Sequence, residues 1–295
     1  MPGSKIIIKL KNTTMMKLYK FHGAGNDFLI ADARRDTVNL SQEEIVHLCD
    51  RHTGFGSDGL MVIGNSNDTA FKMKFYNPDG TSGMMCGNGG RCISAYAAMT
   101  SANDERHFVF EAPDGLHESW IEAGPETDAL GDCTRVVRLK MSDVKEFKKY
   151  DDTSYFFNTG ARHFVTAVDD VDHTNVYANG RAYRYFDTRF APEGVNVDFV
   201  QVRDGVLHVR TYEKGVENET LACGTGIVAT ALAAYMMGVQ PESVENGVVR
   251  YAVQARISLL HVEFEPEKKA SGNITFNNIY LTGPATYVGE IEVDL

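Results

Sequence analysis

Short runs of alternating hydrophobic and polar residues recur along the chain. The run FKMKFY at 71–76 places Phe, Met and Phe on one face and lysine on the other, which is the pattern of a half-buried β-strand. Glycine, aspartate and asparagine residues separate the runs, as expected between antiparallel strands. Comparable runs predict strands at 59–64, 107–112, 134–141, 207–212 and 260–265.

Three segments show the spacing of helices instead. The segment at 41–52 begins with Ser41 and Glu44 in a capping-box pattern. The segments at 91–99 and 227–238 are rich in alanine and other small residues. The last of these is apolar on nearly every face, so we expect a helix enclosed by a sheet.

The chain also contains an internal repeat. CGNG at 86–89 and CGTG at 223–226 each precede an alanine-rich helical segment, and their cysteines are 137 residues apart. Two further pairs lie 136 residues apart, namely Phe28 with Phe164 and Tyr76 with Tyr212. Three anchors at nearly one offset indicate a duplicated half. The sequence therefore predicts an α+β protein of two similar domains related by internal duplication.

The domain boundaries follow from this repeat. We interpret residues 1–14 as a tag or an extended N-terminus, because they precede the first strand-like run. We expect an N-terminal domain of 15–133 plus 282–295, since the last strand could return to it, and a C-terminal domain of 134–281. A cleft would lie between the two.

Composition excludes several functions. The net charge of −11 argues against a nucleic-acid partner, because phosphate binding needs a basic surface. No apolar stretch approaches the roughly 18 residues of a membrane span, and the N-terminus lacks a signal-peptide core. We therefore expect a soluble, cytoplasmic protein that acts on a small molecule and not on a membrane.

The five cysteines form neither a disulfide framework nor a zinc site. Their number is odd, no two have Cys-x-x-Cys spacing, and no histidine stands at ligand spacing. We interpret Cys49 and Cys92 as small buried hydrophobic residues and assign no function to Cys133, which lies in a turn-like segment. Cys86 and Cys223 differ from these because they occur in equivalent positions of the repeat.

Two thiols at helix N-termini suggest a specific chemistry. Helix dipoles lower the pKa of a thiol at that position, and glycines there leave backbone N–H groups open to a carboxylate. One sulfur would remove an α-proton and the other would return a proton to the opposite face, which inverts the stereocentre. Such a reaction needs no metal or pyridoxal phosphate, so we predict no cofactor.

One stretch carries a family resemblance. NPDGTSGMMCGNGGR at 77–91 resembles the signature of the diaminopimelate epimerases, Asn-x-Asp-Gly-Ser, four residues, then Cys-Gly-Asn-(Gly/Ala)-x-Arg. The one departure is Thr81 in place of serine. The resemblance covers about 16–295, with further matches at FHGAGNDF, RHTGFGSDG, PEGVNVDF and TYEKGVENETLACGTG. It implies two domains, each with a β-barrel-like mixed or antiparallel sheet around a central helix.

The resemblance also implies an activity and a site. The family interconverts LL- and meso-diaminopimelate, in lysine and peptidoglycan-precursor synthesis, without a cofactor. Cys86 and Cys223 would be the two acid/base groups. The substrate would be held by Gly87, Asn88, Gly224 and Thr225 at the reacting centre and by Asn26, Asn77, Asn196, Glu213 and Lys214 elsewhere, with a homodimer as a possible assembly.

Several positions would support the site or depart from the family pattern. His163 stands where the repeat has Asp27 and would support the thiols, whereas Asp58 and Arg91 would hold loops near the site. Ala161 and Arg162 replace an Asn-Pro pair of many members, Lys214 replaces an arginine and Gly59 replaces a glutamine of some members. These departures affect groups that hold the substrate more than the thiol pair.

Three alternatives remain open at this point. A cofactor-independent racemase of the same fold could act on a different amino acid, as the changes at Ala161 and Lys214 would allow. A non-catalytic relative or an isomerase of the phenazine-biosynthesis type is disfavoured, because such relatives do not keep both thiols. A metal or redox protein is disfavoured, because the two cysteines lack partner ligands.

Overall fold

The computed structural model describes residues 7–8, 15–127 and 133–294. They divide into two compact units, with unit 1 up to Leu139 and from Pro284 onward, and unit 2 from Lys140 to Gly283. Of the predicted N-terminal extension, 1–6 and 9–14 lie outside the described residues. Ile7–Ile8 form a short strand, β1, parallel to Glu292–Val293.

Unit 1 consists of one sheet and two helices. The helices are α1 at Gln42–Cys49 and α2 at Gly87–Thr100. The strands are β2 (Met15–Gly23), β3 (Asn26–Asp32), β4 (Leu60–Gly64), β5 (Phe71–Tyr76), β6 (His107–Ala112), β7 (Gly115–Thr127) and β8 (Cys133–Lys140). Cys133 was predicted to lie in a turn, but it is the first residue of β8, since Thr127 on β7 pairs with it.

Unit 2 repeats this plan with a few additional strands. Its helices are α3 at Val176–Phe186 and α4 at Gly224–Met236. Its strands are β9 (Phe147–Lys149), β10 (Ser154–Asn158), β11 (Arg162–Ala167), β12 (Asn196–Arg203), β13 (Val206–Glu213), β14 (Asn218–Thr220), β15 (Ser243–Glu245), β16 (Val248–Gln254) and β17 (Leu259–Lys268).

The last strand, β18 at Ile274–Asp294, contributes to both sheets. Its first part pairs with β17, and its last part pairs with β2. In unit 1, β18 also pairs with β8, where the hydroxyls of Thr134 and Thr286 lie 2.8 Å apart, so the sheet closes on itself. In unit 2, a bridge between Val144 and Phe276 connects β18 to the segment that leads into β9.

Both sheets are mixed, and their parallel pairs occur at corresponding places. In unit 1, β3 is parallel to β4 and β5 to β6. In unit 2, β11 is parallel to β12 and β13 to β16. The alternation of the runs correctly predicted strands but indicated antiparallel neighbours throughout, because it reports burial and not strand direction. The predicted two-domain α+β fold is confirmed.

Each sheet surrounds its alanine-rich helix. α2 packs against β2, β3, β4 and β7, and α4 packs against β10, β11, β12, β13, β16 and β17. In α4, Ala229, Ala231 and Ala233 are fully buried, and small side chains let the strands approach the helix closely. A helix enclosed in this way is accessible at its N-terminus but not along its sides.

The shorter helix α1 packs against the sheet of unit 1. Ser41 accepts a hydrogen bond from the N–H of Glu44, and the Glu44 carboxylate accepts one from the N–H of Ser41, so the predicted capping box is present. Cys49 lies in a hydrophobic cluster with Leu29 and Leu60. Burial raises the pKa of the Cys49 thiol, which agrees with its predicted packing role.

The closed sheet of unit 1 should depend on the last part of β18. Deleting Thr286 and everything after it removes the ladder between β18 and β2. We expect the amides of β2 and β3 to lose protection in hydrogen exchange, because their neighbour strand is gone. The amides of β11 to β13 serve as the internal control and should keep theirs, and unchanged protection of β2 would contradict the described closure.

Candidate active site

The two predicted catalytic cysteines occupy the same position in their units. Cys86 is the N-cap of α2 and Cys223 is the N-cap of α4, each with an extended backbone. The first helical hydrogen bonds are made by their carbonyls, which accept from the N–H groups of Gly90 at 2.8 Å and Ile227 at 2.9 Å. Neither helix has an acidic residue in its own first turn, so no carboxylate of the helix itself competes with its sulfur for the positive end of the dipole.

In unit 1, side-chain amides form a hydrogen-bonded chain at the start of α2. Arg91, which is fully buried, donates to the Asn88 Oδ1 at 2.9 Å and to the Gly87 carbonyl at 3.2 Å. The Asn88 amide donates to the Asn26 Oδ1 at 3.2 Å, and the Asn26 amide donates to Asp58 at 2.6 Å. The predicted residues Asn26, Gly87 and Asn88 therefore lie together beside Cys86.

A close approach of β2 to α2 makes this arrangement possible. A Cβ atom on Gly23 would lie 3.0 Å from the Asn88 carbonyl oxygen and 3.3 Å from the Arg91 guanidinium.

Asp27, on the neighbouring strand β3, binds Arg51 and Lys20. Burial alone would raise the pKa of Asp27, but these two cations hold it below its usual range.

Two other predicted residues of unit 1 make local contacts. The Asn77 amide donates to the Thr81 hydroxyl at 3.0 Å, and that hydroxyl donates to Asp79 at 2.6 Å, so threonine supplies the hydroxyl of the family's serine. A Cβ on Gly59 would lie 2.7 Å from the Phe75 ring, which leaves no room there for a glutamine. Neither residue is brought into the chain of amides beside Cys86 by these contacts.

In unit 2, most of the predicted residues line one cavity of about 350 Å³. Cys223 and Thr225 contribute from the start of α4, and Asn196 and Glu213 from the adjoining strands. Two residues that were not predicted as ligands also line it, namely Asn158 at the end of β10 and Gly160 in the turn that follows. The full lining is Asn158, Gly160, Ala161, Arg162, Asn196, Glu213, Lys214, Cys223 and Thr225.

Two of the residues that depart from the family pattern make contacts at this cavity. Arg162 pairs with Glu193 at 2.8 Å and lies over the Phe156 ring, so its charge is neutralised at the rim. Asn196 donates to the Arg162 carbonyl at 3.2 Å and accepts from the Lys214 N–H at 2.8 Å. Its side chain thereby fixes the backbone on both sides of the cavity.

His163 is completely buried behind Thr225. Its Nδ1 lies 2.7 Å from the Asp198 carboxylate and its Nε2 lies 2.8 Å from the Thr225 hydroxyl. The Thr225 Oγ1 lies 3.4 Å from the Cys223 Sγ. Burial disfavours the charged imidazole, but the Asp198 carboxylate and the Cys223 sulfur outweigh it and raise the pKa of His163 to about 10.

Sequence reasoning missed Asp198 and Thr211. Asp198 is fully buried, and its second oxygen accepts a hydrogen bond from the Thr211 hydroxyl at 2.7 Å. The available signal was an aspartate within the apolar run NVDFV, since a charged residue at a buried strand position requires a partner.

No metal site is found in the described parts of the chain. No group of three histidine, cysteine or acidic residues there is placed to hold an ion. Within the same residues, no helix is both long and apolar enough to cross a membrane. The remaining cysteine of α2, Cys92, is fully buried, and burial raises the pKa of its thiol.

Solved structures of low sequence identity share this fold. A hydroxyproline epimerase from Agrobacterium vitis has a TM-score of 0.65 at 16% identity, covering 95% of this chain and 93% of that chain. A phenazine biosynthesis protein of the PhzF family from Bacillus anthracis has a TM-score of 0.70 at 15% identity, covering 96% and 100%. The architecture is thus one found in racemases and related enzymes.

Sequence comparison then identifies the family. A model described as diaminopimelate epimerase matches residues 18–135 and 155–288. A diaminopimelate epimerase from Flavobacterium psychrophilum is 38% identical over 280 residues, covering 94% of this chain and 100% of that protein. The chain belongs to the diaminopimelate epimerase family, and because an epimerase is an isomerase, it is an enzyme of that class.

The glycine after Thr225 should be indispensable. A Cβ on Gly226 would lie 2.4 Å from the Asp198 Oδ1, so Gly226→Ala should cost about 1–3 kcal/mol of unfolding free energy. Gly89→Ala is the matched control, since it stands at the same place in α2 and its Cβ would meet the flexible Met61 sulfur at 3.2 Å. Equal losses of unfolding free energy in the two variants, measured by urea unfolding, would contradict the close approach of Asp198 to Gly226.

The buried His163–Asp198 pair should make stability depend on pH. Because folding raises the pKa of His163 from its usual value near 6.5 to about 10, its stabilisation is complete below pH 6.5 and is lost as the pH rises to 10. The difference in unfolding free energy between wild type and His163→Gln should shrink across that window. Urea titrations at several pH values measure it, and a constant difference would be the contrary result.

Proposed function

We propose that this chain is a diaminopimelate epimerase that interconverts LL-2,6-diaminopimelate and meso-diaminopimelate. The observation that carries the proposal is the repeated N-cap thiol, Cys86 in one unit and Cys223 in the other. Family membership supplies the substrate, because the relatives that match over nearly the whole chain are named for it.

The proposed reaction uses one sulfur as a base and the other as an acid. A thiolate takes the α-proton, so that a C–H bond breaks and an S–H bond forms. The other thiol gives its proton to the opposite face of the same carbon, which inverts the configuration and leaves a thiolate behind. The two cysteines exchange these roles in the reverse direction, and the reaction consumes no other reactant.

The start of each helix would stabilise the reacting centre. Gly87 and Asn88 in unit 1, and Gly224 and Thr225 in unit 2, would supply donors to the α-carboxylate. These donors also stabilise the negative charge that develops when the α-proton leaves. The positive ends of both dipoles favour binding of a carboxylate without a metal or an organic cofactor.

The remaining predicted residues would hold the rest of the substrate. Glu213 and Lys214 line the cavity that contains Cys223 and offer charges of both signs, as a second amino-acid group requires. Asn196 lies beside them, and Asn26 and Asn77 would contribute from unit 1. Asn158 provides an amide in the cavity where Ala161 lacks one.

We further propose the setting of this activity. The product would serve lysine and peptidoglycan-precursor synthesis, and the enzyme would work in the cytoplasm on a free small molecule. Neither a nucleic acid nor a membrane would take part, in keeping with the net charge of −11. A homodimer stays a prediction.

The alternative is a racemase of the same fold that acts on a different amino acid. Ala161, Arg162 and Lys214 alter the lining of the cavity and are the residues that would respecify it. The names of the sequence relatives favour diaminopimelate. Both hypotheses retain the same two thiols. Testing several amino acids as substrates therefore separates them, whereas a study of the mechanism does not.

Proton exchange in deuterium oxide tests the function directly. Reduced enzyme and LL-diaminopimelate should show loss of the α-proton NMR signal together with appearance of the meso isomer. Cys86→Ala and Cys223→Ala should each lower epimerisation by about 100-fold or more, because each removes an acid/base group.

Cys133→Ala is the control, since it removes a thiol that is not at a helix N-terminus, and it should leave the rate unchanged. If wild-type enzyme with free thiols leaves diaminopimelate unexchanged but exchanges another amino acid, the alternative is correct. Full activity in either cysteine variant would refute the two-thiol mechanism.

A further inference from the structure

The two N-cap thiols are held by different contacts. The Cys86 Sγ accepts a hydrogen bond from the backbone N–H of Gly89 at 3.2 Å. The Cys223 side chain makes no such capping bond to α4, and its sulfur instead lies 3.4 Å from the Thr225 hydroxyl. The duplicated motif therefore begins two helices in the same way but surrounds its sulfurs differently.

The difference continues into the sheet behind each helix. A Cβ added to Gly89 would have the Met61 sulfur as its nearest neighbour, at 3.2 Å. A Cβ added to the equivalent Gly226 would lie 2.4 Å from the Asp198 carboxylate and 3.1 Å from the His163 ring. A thioether in unit 1 is thus replaced in unit 2 by an acid and an imidazole.

These groups form one continuous path. The Thr211 hydroxyl donates to one Asp198 oxygen at 2.7 Å, and the other oxygen lies 2.7 Å from His163 Nδ1. Because an ionised carboxylate only accepts hydrogen bonds, Nδ1 carries a proton. The Nε2 is consequently the ring atom that exchanges a proton with its neighbours. It lies 2.8 Å from the Thr225 hydroxyl, which lies 3.4 Å from the Cys223 sulfur, and the imidazole also interacts directly with that sulfur.

We propose that Asp198 is a positioning residue for the epimerase reaction, acting through His163, both directly and by way of Thr225, on the protonation of Cys223 alone. This inference rests on the proposed function of Cys223. Asp198 holds the imidazole so that Nε2 faces Thr225, and its charge stabilises the imidazolium. The matching place in unit 1 has no such acid, so the two thiols are tuned by separate means.

Proton movement along this path is balanced. In one state, the Cys223 thiol donates to Thr225 and the threonine hydroxyl donates to neutral Nε2. The thiol proton then passes to the threonine oxygen while the hydroxyl proton passes to Nε2, giving thiolate and imidazolium with Asp198 still ionised. Threonine is unchanged in composition and only reverses the direction of its hydrogen bond.

Other charges near the path do not replace Asp198. Arg162 on β11 is paired with Glu193, and Glu213 and Lys214 lie at the end of β13 and line the cavity on its open side. The first turn of α4 contributes no acidic group. Asn196 on β12 approaches His163 Nε2 at 3.3 Å, and this uncharged amide cannot balance an imidazolium.

Residue-resolved alkylation of the full chain tests the inference. Reduced protein is treated with iodoacetamide between pH 5 and 10, and labelling of Cys86 and Cys223 is quantified on separate peptides. Asp198→Asn should move the Cys223 profile to higher pH and slow its labelling at pH 7 by about tenfold, which corresponds to one pH unit. The Cys86 profile is the internal control and should not move.

A second set of variants changes the hydroxyl of Thr225. Thr225→Ala should shift the Cys223 profile in the same direction, and Thr225→Ser should restore it by returning the hydroxyl. In a Thr225→Ala background, Asp198→Asn should add a smaller shift than in the wild type, because only the direct interaction of His163 with the Cys223 sulfur is left. These variants keep the inference testable if Asp198→Asn does not fold.

The outcomes are separable from those of the proposed function, because alkylation requires no substrate. A Cys223 profile that is unchanged in Asp198→Asn, or that moves together with the Cys86 profile, overturns the inference. So does an Asp198→Asn shift that persists in full without the Thr225 hydroxyl. The α-proton exchange assay decides the function independently of each of these results.

Discussion

The enclosure of an alanine-rich helix by a mixed sheet is the constraint on which the rest of each unit depends. Strands cover the sides of α2 and α4, so only the N-terminal turn is available for chemistry. The first N–H groups of a helix have no partner within it. Because strands cover the sides of the helix, these groups are accessible only at its start. A cysteine placed as the N-cap therefore meets backbone donors and the positive end of a dipole. The position of Cys86 and Cys223 follows from the packing as much as from the motif.

The sequence predicts the repeated features well and the individual ones poorly. The two cysteines, their glycines and the enclosed helices are visible because the chain contains each twice at nearly one offset. The parallel pairing of β3 with β4 is not visible, because alternation encodes burial and not direction. Asp198 escaped prediction since its partner, His163, is distant in sequence, and Thr211 escaped prediction since its own partner is Asp198. The link between Arg162 and Glu193 likewise depends on a contact that only the folded chain creates.

Duplication has preserved the backbone of the site while its side chains have diverged. Corresponding strands pair in corresponding directions, and both helices begin with an extended cysteine. The polar groups behind them differ: an arginine and two asparagines in unit 1, and an imidazole with a buried acid in unit 2. In the proposed reaction either sulfur would serve as acid or base, and the two sulfurs would do so in unlike environments. Each half has its own way of stabilising a charge at its helix terminus.

The glycine at 226 also depends on its own surroundings. Its missing side chain leaves the space that the Asp198 carboxylate occupies, whereas the same space in the other half is filled by the Met61 thioether. A methyl group at 226 would lie 2.4 Å from that carboxylate, so the glycine and the acid are kept together. The two copies have therefore ceased to be interchangeable, and a segment transplanted from one half into the other would bring a motif that no longer fits its surroundings.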